Sequence, residues 1–497
     1  MSEIQIYMGI GMALFFVALL ALALLAYKKT TTMADFAIAG AKIGPVTLGL
    51  AFAATFFSAA TFVGYTGWAY QWGLSTLWIF LTLIFASPLG LILVAKRARE
   101  MNTAQGSLSL PDWLGDRYGS DFVRVSVALI TLFNLFYIGA QFSAGALVFN
   151  QLLGVPYIVG LLVIAVIVVG YTYGGGSYAD IYTDAFQAVL MVVMGVLVFV
   201  SGFWVFQNGF TGVVETVTDS LASRDPKLVA PINPDSGIFY SVQAIIGAFV
   251  IQFAFAAQPQ LFNKVLALEK PQDMAKMIGV YVAAAVCFLV VIFGGLYAAA
   301  TVPDLANPDS AIFEYATVAF PTAIVALLGV AVLAAAMSTS DGILIVISTS
   351  IANDIYAKFL VPRGFVKTPP EKVDATALKI SRIVTLLTGV AATLLVIKPP
   401  DFIGTFIWIG ISGVAAGTLG PLLVGLFLPR LASATAAKVS VVGGLGSYLV
   451  ILLWDFEKSV LAAGAWAVLL GVAIMLVASL IFTRTGSEKF ADGNEPA

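Results

Sequence analysis

The chain has 497 residues, 60% of them hydrophobic and only 10% charged, where soluble domains run at roughly 45–50% and 25%. Its 25 basic and 27 acidic residues leave a net charge of −2, without the basic field a nucleic-acid binder needs; with no histidine, imidazole catalysis and His-ligated metals are excluded. Neither a soluble globule nor a disordered chain carries this composition, which points to a polytopic membrane protein.

A membrane-crossing helix takes about 20 mainly apolar residues. Thirteen runs meet that rule: 5–27, 45–70, 74–95, 122–152, 156–173, 178–206, 237–262, 276–301, 322–356, 376–397, 401–428, 432–454 and 458–483. The first is read as a helix and not a cleaved signal, because Lys28 and Lys29 follow its apolar stretch instead of preceding it. The second contains Ala53-Ala54-Thr55-Phe56-Phe57-Ser58-Ala59-Ala60-Thr61, then Gly64 and Gly67, so small and hydroxyl residues fill its middle. Trp68, Tyr70 and Trp72 close it and read as an interfacial belt.

The run 122–152 carries two neutral polar residues, Asn134 and Gln141, suited to interhelical bonding or to ligand contact. In 178–206, Asp184 lies about two turns in, while Asp180 reads as an interfacial cap. The run 237–262 ends in Gln258-Pro259-Gln260, where proline removes a backbone donor and breaks the helix. Interrupted segments at matching places in two halves mark the central site of a transporter, and 237–262 is sixth counting from 45–70. Cys287, the single cysteine, sits in the apolar stretch 280–300, which rules out an intramolecular disulfide. Asp341 falls near the middle of 322–356, after Ser338, Thr339 and Ser340. A carboxylate there must pair, coordinate an ion or stay protonated. Ser338 and Asp341, three apart, share one helical face, and hard cations take such oxygen ligands.

Placing the N-terminus outside and the C-terminus inside puts all basic residues except Arg224, Lys227, Lys398 and Lys458 on the cytoplasmic side. Lys264 counts among the cytoplasmic ones. Polar excursions are confined to 100–121, 207–236 and 357–375, each too short for a soluble domain.

Tyr171-Thr172-Tyr173-Gly174-Gly175-Gly176, followed by Thr183-Asp184 and Gln187, resembles the Y-T-x-x-G-G and T-D-x-x-Q pattern of the sodium:solute symporter family, the group of bacterial proline, pantothenate and sialic acid transporters. Gly40 to Gly44, Ala336 to Thr339 with Asn353 to Tyr356, and Gln258-Pro259-Gln260 with Lys264 agree. Lys398-Pro399-Pro400 is similar to the pantothenate branch. The likeness spans about 30 to 440. It implies an all-α LeuT-type fold with an inverted five-plus-five repeat: 1–44 as an extra helix and loop, 45–206 and 237–428 as the repeats, and 429–497 as two helices and a cytoplasmic tail. It also implies a sodium site formed by the carbonyls of Ala54, Phe57 and Ala335 with the hydroxyls of Ser338 and Thr339. A second cation or proton site would use Asp184 and Asp341, the latter standing where the sialic acid transporter has serine.

Ser58 and Thr61 match substrate-contacting positions of the family, and Gln141 is a third candidate. Phe56 stands where proline transporters carry aspartate, Gln260 and Lys264 where the proline and pantothenate branches carry His and Arg, and Ala140 where the sialic acid transporter has its substrate-binding Arg. No Arg or Lys is expected in the middle of a core helix. The expected activity is sodium-coupled symport of a small organic solute across the plasma membrane, with a monocarboxylate or pantothenate-like acid ahead of proline. Sodium is the coupling ion, and no nucleic acid or obligatory protein partner is implied. A proton-coupled transporter of the same architecture is the alternative, and a channel or sensor a weaker one. No nucleophile–base pair suggests an enzyme.

Overall fold

The computed structural model describes residues 2–207, 209–400 and 403–484; the expected tail 485–497 and the first two residues of the run 401–428 lie outside them. Every regular element among the described residues is helical, with one isolated parallel bridge between Ile43 and Leu268. The physical reason is the solvent. Hydrocarbon offers no partner to a backbone N–H or C=O, so an apolar run must satisfy its own groups.

Ten helices are long and apolar enough to cross a membrane, or eleven if the bent pair Val242–Ala257 and Pro259–Ala267 is one crossing. The thirteen sequence runs map onto fewer helices because some run together. Tyr157–Val205 covers 49 residues, which as one straight helix would be roughly 74 Å at 1.5 Å per residue, against a hydrocarbon core of about 30 Å. It is two helices meeting in a kink at Gly176, where φ is 51° and ψ −147°. A β-carbon there would lie 2.7 Å from the Phe36 ring and 2.9 Å from its Cα, so only glycine makes this turn. The expected run 45–70 likewise divides, into Pro45–Phe56 and Tyr65–Trp72, and the second part continues through a turn at Gly73 into Leu77–Gln105.

The centre is held by two helices. In the most apolar stretches of Thr322–Leu360 and Ile403–Phe427, 78% and 89% of residues are buried, against 22% in Glu3–Tyr27 and 33% in Ala434–Leu453, which flank the assembly. One end of the bundle carries Lys28 and the other Trp72. At the Lys28 face, the Ile43 N–H donates to the Ala267 carbonyl (3.1 Å) and the Glu269 N–H to the Ile43 carbonyl (3.0 Å). Arg99 Nε adds a bond to the Leu268 carbonyl at 2.8 Å. The Lys28-face ends of the two broken helices are thereby clasped together.

At the Trp72 face, the loop 302–310 lies over the helix Tyr65–Trp72. The Tyr70 hydroxyl donates to the Val302 carbonyl (3.1 Å) and accepts from the Leu305 N–H (2.9 Å). Trp68 and Tyr70 are therefore buried, 0% and 2% exposed. The interfacial belt expected of them is corrected: their helix is a short inner arm roofed by protein, not a rim facing lipid headgroups.

Candidate functional site

The first broken helix ends at Phe56, where Phe57 turns extended (φ −94°, ψ 98°), and a π-helical turn resumes at Ala60. The run Ser58-Ala59-Ala60 has no bulky side chain to pack in a regular helix and carries a hydroxyl that competes for backbone bonds. Ser58 Oγ accepts from the Ala60 N–H at 3.2 Å, and Gln141 Oε1 accepts from the Ala59 N–H at 3.0 Å. Side chains thus satisfy N–H groups that the broken helix leaves open.

Across from this break lies the buried middle of Thr322–Thr349. The Ser338 hydroxyl is 2.9 Å from the Ala54 carbonyl and 3.2 Å from that of Ala335; the Thr339 hydroxyl is 3.1 Å from the Thr55 carbonyl. Three of the five expected sodium ligands, Ala54, Ala335 and Ser338, therefore meet; Thr339, next to Ser338, bonds the Thr55 carbonyl instead, and Phe57 is the extended residue of the break. Thr55 is an oxygen neighbour that sequence reasoning had not singled out. The set is made of neutral oxygens at zero or near-zero exposure, a donor chemistry suited to a hard monovalent cation.

One turn along the same helix, Asp341 Oδ2 accepts from the Tyr171 hydroxyl at 2.7 Å. Asp184 Oδ2 accepts from the Thr55 hydroxyl at 2.6 Å, which ties the acid to the first break. The two expected acids are joined by two groups the sequence reading placed elsewhere. Lys264 Nζ stands 2.5 Å from Asp180 Oδ2 and 3.0 Å from Asp184 Oδ2. Asp180 is no interfacial cap, and Lys264 is no cytoplasmic surface charge; they are 3% and 2% exposed. The expectation of a core without a fixed cation is corrected accordingly. The bend of 47° at Gln258-Pro259 carries the helix Pro259–Ala267 against Thr322–Thr349 and Pro45–Phe56, and from there the long side chain of Lys264 reaches Asp180 and Asp184 on Tyr157–Val205. Its position five residues past a helix-breaking proline was the available signal.

The substrate candidates Ser58, Thr61 and Gln141 are 3%, 2% and 0% exposed and share the level of the first break. Phe56 faces the second broken helix through Phe255 (ring centroids 4.6 Å), and Phe255 in turn meets Trp408 at 5.9 Å. Gln258 Nε2 donates to the Ile411 carbonyl at 2.8 Å. Buried without a hydrogen-bond partner are Gln141 Nε2, Gln258 Oε1 and Trp408 Nε1. Phe255, Gln258 and Trp408 thus pack around Phe56 and the second break, and the sequence reading had named only Gln258, within the stretch that Pro259 interrupts. Asn134 is buried with both amide atoms unpaired.

A model of the sodium:solute symporter family matches residues 36–443. The high-affinity proline transporter of Bacillus subtilis (strain 168) is 28% identical over 457 residues, covering 88% of this chain and 93% of its own. The sodium/pantothenate symporter of Escherichia coli (strain K12) is 26% identical over 498 residues, 97% of each chain. In fold, the chain matches the substrate-bound outward-open state of a Na+-coupled sialic acid symporter with a TM-score of 0.77 at 18% identity, over 96% of this chain and 98% of that one. A nucleobase-cation-symport-1 family transporter in a closed conformation matches at 0.55 and 17% identity, over 92% and 96%. The fold is the LeuT type.

Proposed function

The chain belongs to the sodium:solute symporter family, a multi-pass plasma-membrane protein coupling a small solute to sodium, and we propose that it does so by alternating access around the two helix breaks. The observation that carries this reading is the meeting of the Ser338 and Thr339 hydroxyls with the carbonyls of Ala54 and Thr55. A cation bound there, with Phe57 and Ala335 as further carbonyl ligands, joins the first broken helix to Thr322–Thr349. It favours the conformation in which those elements touch, and by linkage it raises solute affinity by the factor that solute raises sodium affinity.

The Lys28 face is the cytoplasmic one in this reading, as the distribution of Lys and Arg argues. The crossings number thirteen if each broken helix counts once and the helix turned at Gly176 twice. They divide as 1–44, an inverted pair 45–206 and 237–428, and a C-terminal pair beginning at 429. Asp184 and Asp341 belong to a second cation or proton site next to the first.

The solute is a small monocarboxylate or pantothenate-like acid, with proline next. Support comes from the lining. Phe56, Phe255 and Trp408 form an apolar wall, while Gln141 Nε2 and Trp408 Nε1 are buried donors lacking acceptors. Each such orphan costs roughly 1–3 kcal/mol, which a carboxylate accepting from both, beside Ser58 and Thr61, would recover.

Reconstituted vesicles test the reading. Counterflow with radiolabelled monocarboxylates, pantothenate and proline identifies the solute, and imposed sodium or proton gradients separate the driving ions. Thr339→Ala and Ser338→Ala are expected to raise the half-saturating sodium concentration about tenfold or more, since a bond to a charged group contributes about 1.5–3 kcal/mol. Uptake that needs no sodium and ignores both substitutions overturns the proposal.

A further inference from the structure

Asp180, Asp184 and Asp341 each offer a carboxylate oxygen, and the three oxygens lie within 4.8 Å of one another. Three buried acids so close cannot all stay charged without positive charge beside them. One fixed cation already stands among them: Lys264 Nζ, 2.5 Å from Asp180 Oδ2 and 3.0 Å from Asp184 Oδ2. It is carried by the short arm Pro259–Ala267, on the far side of a 47° bend.

The surroundings have unused capacity for an ion. Asp180 Oδ1, Asp184 Oδ1 and both amide atoms of Gln260 are buried without a hydrogen-bond partner. Gln260 lies one turn before Lys264. Its Cβ is 3.7 Å, and Asp180 Oδ1 3.2 Å, from the point where a β-carbon on Gly342 would stand. Glycine at 342 lets this carboxylate oxygen approach the helix closely, since a β-carbon there would crowd Asp180 Oδ1 and Thr55.

We propose that Lys264 is a tethered counter-cation. Its ammonium fills the second cation position of this chain, so that the Asp180–Asp184–Asp341 cluster takes up no second sodium ion and the protein binds one. The inference rests on the reading that Ser338 and Thr339 hold that one. The physical ground is repulsion: a sodium ion about 5 Å from a buried ammonium is weakened on the order of a hundredfold at an effective dielectric of about 20. Sodium enters the cluster only when the short arm carries Lys264 away or when the ammonium is removed.

Equilibrium binding of radioactive sodium to the purified full chain needs no knowledge of the solute. The wild type is expected to bind one ion per chain, lost in Thr339→Ala. Lys264→Gln is expected to bind two, the second surviving in the double variant with Thr339→Ala and disappearing when Asp184→Asn is added. Lys264→Arg, which keeps the charge, stays at one. Two ions in the wild type, or one in a monodisperse Lys264→Gln, overturns the proposal. Should Lys264→Gln not fold, Asp184→Asn decides. Wild-type-like sodium affinity in that variant supports Lys264 as the occupant of the cluster, and lost binding overturns it. Wild-type binding insensitive to both Ser338→Ala and Thr339→Ala refutes the reading of the first site instead, whatever the count in Lys264→Gln.

Discussion

Asp309 offers a measurable handle on the closed Trp72 face. It sits in the loop 302–310, outside the spans and 3% exposed, with Oδ2 accepting from the Ile403 N–H at 3.4 Å. Oδ1 has no hydrogen-bond partner and lies 2.6 Å from where a β-carbon on Gly67 would stand. The loop thus links the inner arm Tyr65–Trp72 to the start of Ile403–Phe427 through one buried carboxyl. Burial pushes that carboxyl from its ordinary value of 3.8 up to about 7. A raised acid favours the packed state while it is protonated, and that advantage fades as pH rises through about 7. If opening returns the group to water, moving from pH 6 to pH 8 shifts the equilibrium toward open by about 1.4 kcal/mol, a tenfold change. Asp309→Asn removes the dependence.

The assay is the rate at which an external, membrane-impermeant maleimide labels Thr61→Cys in a Cys287→Ser background in intact cells. Dividing by the same rates in Asp309→Asn cancels the intrinsic pH dependence of the thiol. The normalised rate is expected to rise about tenfold between pH 6 and pH 8. A normalised ratio within twofold of unity refutes the argument that this carboxyl holds the lid.

Gly67→Ala pushes a methyl group against Asp309 and Pro308; in the same labelling assay it should speed modification at both pH values, and an unchanged rate counts against close packing there. Gly176→Ala forces a side chain into a positive-φ turn and into Phe36; the left-handed backbone alone costs about 1–2 kcal/mol, so the thermal midpoint of the detergent-solubilised chain should fall, and an unaltered midpoint contradicts the turn. Arg124 pairs with Asp112, Asp116 and Asp121 near the Lys28 face, and Asp112 is wholly buried. Arg124→Gln leaves that carboxylate only the Lys358 ammonium, 3.8 Å away, and removes charge-assisted bonds to Asp116 and Asp121, so it should cost about 1.5–3 kcal/mol, read as a lowered midpoint; equal stability would show the pairs to be surface-like.

What the sequence determined by itself followed from properties that each residue carries wherever it sits. Transfer of an apolar side chain into hydrocarbon is favourable residue by residue, so the runs, the helical class and the Lys and Arg bias stand in the one-dimensional text. Local chemistry also reads locally: Pro259 breaks a helix in any context, Gly176 permits a turn, and Ser338, Thr339 and Asp341 share a face because the helix repeats every 3.6 residues. The meeting of Ser338 with Ala54, 284 positions apart, was legible only through family likeness.

The tertiary structure decided what depends on angles between helices. Lys264 reads as one more positive charge near a helix end, and Asp180 as a cap. Only the bend at Gln258-Pro259 and the kink at Gly176 bring them to 2.5 Å, although they stand 84 residues apart. Trp68 and Tyr70 have the composition of a membrane rim, and only the loop 302–310 folding over them makes them interior. The 60% hydrophobic composition put the chain in the membrane; the packing of a few polar residues brought buried charges together, because a buried charge is stable only where the fold delivers its partner.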